Sequence, residues 1–262
     1  MRLNMPVAPP GRDWMSRTES DDLRPRYALI DAARGVAITL MVVYHFSWDL
    51  TFFGLADFRV FTDPWWIWFA NVIVIIILGV MGVTQVMARR RGLTATAFFR
   101  RLGLIAAAAA AVSLATLWMD PASYVFFGIL HHIALASVIL AGAQFLPSWA
   151  LVALAAVILA APGNLASPAF AADWLLWVGL SPAPPASVDY VPLAPWLAVP
   201  LLGVVAGRRM FRDGSASAGL AWRPAHPILK LLRLAGRHSL ALYLLHQPIL
   251  YGGLYLYMKT IG

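Results

Sequence analysis

Apolar residues dominate this chain in long runs that are broken by short polar stretches. The runs cover about Ile30 to Phe53, Trp65 to Met87, Leu102 to Trp118, Tyr124 to Phe145, Ser148 to Ala161, Leu193 to Val205 and Ser239 to Tyr257. A helix needs roughly 20 mostly apolar residues to cross a bilayer. Inside lipid every backbone polar group must be bonded within the segment, so such runs fold as helices. The pattern predicts an all-α, polytopic transmembrane helical bundle of about seven spans, the fifth and sixth being the shortest runs. The stretch from Gly163 to Pro192 is Pro-rich, with a short apolar piece from Phe170 to Leu180. It predicts an outer loop holding a small interfacial helix, with Trp174 and Trp177 at headgroup depth.

Charge sets the orientation. Arg89, Arg90, Arg91, Arg100 and Arg101 lie between the second and third runs, and Arg208, Arg209, Arg212, Arg223, Lys230, Arg233 and Arg237 between the sixth and seventh. Asp49, Asp57, Asp63, Asp120, Asp173 and Asp189 fall on the other side of the alternation. Lysine and arginine accumulate on the cytoplasmic side. Seven spans with the N-terminus cytoplasmic and the C-terminus outside satisfy almost every charge, whereas an even count would export one basic cluster. The expected location is the cell (inner) membrane. Residues 1–25 are charged, contain several prolines and lack the apolar core of a signal peptide, so they predict a disordered cytoplasmic tail. Residues 26–262 form one transmembrane domain.

Composition narrows the chemistry. The chain has 262 residues, 61% of them hydrophobic and 12% charged, against about 25% charged in soluble domains. There is no cysteine, which excludes disulfides, thiolate nucleophiles and Cys-ligated metals. The net charge of +8 is topological and does not call for a nucleic-acid partner. No metal is expected.

Ionisable groups inside spans are costly and tend to be functional. The first run carries Asp31, Arg34, His45 and Asp49. Eleven residues bring a helix almost back to the same azimuth, so Arg34 and His45 share a face, roughly 16 Å apart along the axis. Asp31 lies one turn from Arg34 and Asp49 one turn beyond His45, where a carboxylate can orient an imidazole. The arginine alone also reads as an inner-leaflet anchor capped by Asp31. The fourth run contains His131 and His132, about 100° apart, so that one faces a site and the other a neighbouring helix. The seventh holds Tyr243, His246 and Pro248, and a proline there removes a helix bond and predicts a kink. His238 and His226 read as structural and solvated.

Four blocks resemble the heparan-α-glucosaminide N-acetyltransferase catalytic-domain family. They are Arg26-x4-Asp31-x2-Arg34-Gly35-x-Ala37-x3-Met41-x3-His45-Phe46-x2-Asp49-Leu50, Phe127-Gly-Ile-Leu-His131, Pro192-x2-Pro195-Trp196 with Gly203 beyond, and Ser239-Leu-x2-Tyr243-Leu-x-His246-Gln-Pro248. The first block is also similar to the first-helix motif of the membrane acyltransferases that O-acetylate surface polysaccharides. The resemblance implies a membrane acyltransferase with acetyl-CoA as donor and a saccharide amine or hydroxyl as acceptor. On that reading His45, Asp49, His131 and His246 are catalytic, while Arg34 and Arg208 hold the acyl-CoA phosphates and Asp31, at the same cofactor site, pairs with Arg34. The lipid bilayer is the other partner, and homo-oligomerisation stays open. The rival reading is a non-enzymatic membrane protein whose intramembrane histidines bind b-type haem or relay protons.

Overall fold

The computed structural model describes residues 27–212 and 226–261; the N-terminal tail, Arg26 and Arg223 lie outside them. Among the described residues the fold is all-helical. Helices α1 (Ala28–Phe52), α2 (Pro64–Arg90), α3 (Ala95–Met119), α4 (Ile129–Ala143) and α5 (Ser148–Leu165) come first. Two 3-10 turns, Pro168–Ala171 and Asp173–Val178, occupy the segment where the sequence predicted one interfacial helix. The chain continues with α6 (Leu193–Trp196), α7 (Ala198–Met210), α8 (Pro227–Arg237) and α9 (Ser239–Ile261). Helices α1, α2, α3 and α5 are long and apolar enough to cross a membrane, and α4 is a shorter apolar helix.

Local signals explain several boundaries. Asp63 accepts the Trp65 amide at 2.8 Å and Pro64 follows it at the first helical position, so α2 starts there. Thr94 caps α3 through the Ala97 amide. The sixth apolar run is divided at Leu197 into α6 and α7, and within α6 Ala194 departs from helical backbone geometry. Helix α9 runs through Pro248 as a single element.

Helix α8 is absent from the sequence expectation, which treated its residues as loop. His226 accepts the Ile228 amide and Pro227 opens the first turn. Leu232 and Gly236 then press against α1, with the Leu232 carbonyl on Gly35 and the Asp31 carbonyl on Gly236.

Packing elsewhere follows the membrane rule that small residues let backbones approach. Helices α2 and α7 meet at Gly82 and Gly203, where a methyl added to Gly82 would stand 2.8 Å from the Gly203 Cα. The main core joins Leu78, Leu140, Leu151, Leu201 and Val204 from α2, α4, α5 and α7. Gln85 reaches across it to the Ser137 carbonyl at 3.1 Å, which satisfies a buried amide.

Contacts define the two ends of the bundle. At one end, Arg91 lies over Tyr27, Arg90 over Phe211, and Arg89 over Phe145. The start of α1 and the ends of α2, α4 and α7 therefore share a basic end. Helices α1 and α9 run parallel from it: Asp31 meets Arg237, His45 meets His246, and Phe52 and Phe53 meet Tyr251.

Candidate functional site

The parallel pairing of α1 and α9 brings two sequence-predicted residues together. The rings of His45 and His246 are 4.8 Å apart, edge to face. Beside them Gln247 donates its amide to Asp49 Oδ1 at 2.7 Å. Asp49 is completely buried. The expected pairing of Asp49 with His45 is not made. One helical turn separates them, but the carboxylate faces α9, where a side chain 198 positions away meets it.

Hydrogen bonds fix the chemistry of His246. Its Nδ1 is 2.6 Å from the Tyr243 carbonyl. A carbonyl only accepts, so Nδ1 carries the proton and Nε2 of the neutral ring holds a lone pair. Among the described residues that Nε2 is buried without a partner, as are Asp49 Oδ2 and Gln247 Oε1. Buried polar atoms are nearly always bonded. Three unpartnered ones on adjoining side chains make this cluster the candidate site.

A second carboxylate joins the cluster. Asp189 Oδ2 accepts from the Tyr243 hydroxyl at 3.3 Å and from the Ile129 amide at 3.0 Å. It thus caps the N-terminus of α4, where the helix dipole favours negative charge. Gly128 has no side chain because one would run into that carboxylate. Burial pushes the Asp189 carboxyl up from the ordinary carboxylate range, and its two hydrogen bonds pull it back. The sequence reading used Asp189 only as a topology marker. Its available signal was its place three residues before the Pro192-x2-Pro195 block.

The two histidines of α4 differ. Gly128 donates its amide to His131 Nδ1 at 3.3 Å, so the other nitrogen carries the proton and donates to Ser113 Oγ at 3.2 Å. Both ring nitrogens of His131 are thereby spent on its own helix start and on α3. His132 is completely buried; Nδ1 donates to the Val191 carbonyl at 3.2 Å, and Nε2 has no partner among the described residues.

Arg34 sits 3.9 Å from Asp31, which also pairs with Arg237 at 3.4 Å. The Arg101 guanidinium on α3 lies close enough to repel Arg34. Two guanidiniums thus flank one carboxylate, with Arg101 beside Arg34, roughly 16 Å along α1 from His45. Arg208 lies elsewhere. Its Nη1 bonds the Leu146 carbonyl at 2.8 Å and Ser148 Oγ at 3.2 Å, and its Nη2 bonds the Gln144 carbonyl at 2.8 Å. It holds the connection between α4 and α5. No group of three or more metal-ligating side chains occurs among the described residues.

No curated protein and no solved structure matches the chain. A family model does, over residues 26–248, a span that contains all four sequence blocks and every member of the site. With an all-helical fold rich in membrane-length helices, the chain belongs to the family of the heparan-alpha-glucosaminide N-acetyltransferase catalytic domain and is a membrane acetyltransferase-like protein.

Proposed function

We propose that this protein spans the cell membrane seven times, N-terminus cytoplasmic and C-terminus outside, and transfers an acetyl group from acetyl-CoA to an amine or hydroxyl of an extracytoplasmic saccharide. The N-acetylation of a glucosaminide for which the family is named supports the acetyl donor and the amine acceptor. The orientation follows from the basic residues gathered at one end. One observation carries the site assignment: His246 presents a bare, buried Nε2 against His45, beside the two unspent oxygens of Asp49 and Gln247.

In this reading His246 Nε2 removes the proton from the acceptor as its heteroatom bonds to the thioester carbonyl carbon. The carbon–sulfur bond then breaks, and the leaving thiolate takes the proton from His246. His45 packs on the charged imidazolium ring and donates toward the developing oxyanion, a role worth most in a site closed to water. Asp49 and Gln247 orient the acceptor, with Asp189 and Tyr243 fixing the backbone that holds His246. His131 supports the site by anchoring the start of α4. Arg34, flanked by Arg101 and Arg237, meets the donor phosphates through charge-assisted bonds, with Asp31 keeping the arginines in place.

Membranes containing the protein are incubated with acetyl-labelled CoA, and label in glycans is counted. His246→Ala and His45→Ala should each cut incorporation by roughly 10²–10⁴-fold, the usual contribution of a positioned acid–base group. Incorporation at the wild-type rate in either variant refutes that residue's role. Absence of any label with the wild-type protein across amine and hydroxyl saccharides refutes the transferase reading itself.

A further inference from the structure

The basic end carries a feature the transfer site does not use. An open cleft of about 650 Å³ lies between the ends of α2 and α7 and the α4–α5 connection. Its volume is within the range of roughly 300–1,000 Å³ typical of small-ligand pockets. Arg89, Arg90 and Arg208 line it, with Phe145 and Leu146, and Arg34 is not among its walls.

Each guanidinium is held in place by a neutral neighbour. Arg89 rests on the Phe145 ring, 4.4 Å from its centroid, and Arg90 lies 5.9 Å from the Phe211 ring. Arg208 is fixed by two carbonyls and a hydroxyl. Those bonds use three of its five N–H donors and neutralise none of its charge. No aspartate or glutamate lines the cleft, and among the described residues none of the three arginines forms an ion pair. Three convergent like charges repel one another unless an anion sits between them. Planar guanidinium forks match the oxygens of phosphate two at a time.

We infer that this cleft is a phosphate-binding site, taking a phosphate ester or diphosphate. The chemistry is common to two sources, a soluble diphosphate and the headgroup of an anionic phospholipid. Phe145 and Leu146 are exposed beside the arginines, and this apolar rim lets either source enter at the membrane surface.

The test uses the full-length protein purified in neutral detergent. Adenosine diphosphate is titrated calorimetrically in one arm. In the other, the protein is placed in nanodiscs with and without phosphatidylglycerol, and retained lipid is counted by native mass spectrometry. Saturable binding in the first arm assigns a soluble source; lipid retention without it assigns a headgroup. In the arm that binds, Arg89→Gln with Arg90→Gln should weaken binding at least about tenfold, and the wild-type interaction should fall as salt is raised. Arg208 is left intact because it also holds a loop. Arg89→Lys with Arg90→Lys, which keeps the charge, should recover part of the binding and so separates a binding loss from misfolding. His45→Ala should bind as wild type does, so failure of the transfer mechanism leaves the cleft assignment standing. The inference is overturned if neither ligand binds, or if the double Gln variant binds as tightly as wild type.

Discussion

Gly236→Ala tests how α8 is seated on α1. A methyl at this position would stand 2.8 Å from the Asp31 carbonyl carbon and 2.9 Å from the Gly35 amide nitrogen, and closer still to the Asp31 carbonyl oxygen. Ordinary contact begins at 3.4 Å, so the helices must separate by at least ~0.6 Å. All three obstructing atoms are backbone, and no rotamer change can relieve them. Two terms oppose each other. Alanine is favoured over glycine inside a helix by about 1 kcal/mol. Overpacking a tight contact costs about 1–3 kcal/mol. Separation also stretches the 3.4 Å Arg237–Asp31 pair, a half-exposed contact worth at most about 1 kcal/mol. The clash wins, and a net loss of about 1–2 kcal/mol is expected. The matched control is Gly103→Ala on exposed α3, where nothing lies within 4 Å of the new methyl. Thermal unfolding in detergent should place the Gly236 variant below wild type and the Gly103 variant at or above it. Because Asp31 is also the partner of Arg34, acetyl-CoA use should fall in the Gly236 variant alone. If the two alanine variants melt together at or above wild type, the α1–α8 contact described here is wrong.

Two other outcomes follow from the buried carboxylates. Gln247→Ala removes the donor to fully buried Asp49 and should destabilise by about 1–3 kcal/mol, whereas replacing both Asp49 and Gln247 with leucine should recover most of that loss; melting temperatures of the single and double variants measure it. Asp189 has a folded pKa raised above its unfolded value, so the folded state binds the extra proton between the two values. Stability from this group is therefore greatest below the unfolded carboxylate pKa and declines as pH rises through the folded one. Asp189→Asn should flatten that decline in a wild-type-minus-variant series of melting temperatures, and an unchanged slope would show that Asp189 is not the titrating group.

Much of the site was legible because its members carry local signatures. Mid-helix histidines at 45 and 246 stand out against apolar neighbours, and they do meet. What the chain could not disclose by itself was partnership. Helical spacing places Asp49 one turn from His45, yet spacing says nothing about which neighbour offers the better bond. The Gln247 amide takes the carboxylate, and only the parallel docking of α1 and α9 makes that available. Asp189 serves in the sequence only as a topology marker, because its role depends on the α4 amide that folding brings to it. Helix α8 went unseen for another reason. Its apolar positions 228, 229, 231, 232, 234 and 235 suit a helix, but Lys230, Arg233 and Arg237 give the segment the look of a basic loop. A glycine on each partner, Gly35 and Gly236, is what lets that helix lie against α1. Gly35 and Gly128, each in one of the sequence blocks, thus leave room for the Leu232 carbonyl and the Asp189 carboxylate. The motif therefore records the spaces around the histidines as well as the histidines themselves. A substitution that fills either space should disturb the site without touching a single reactive atom.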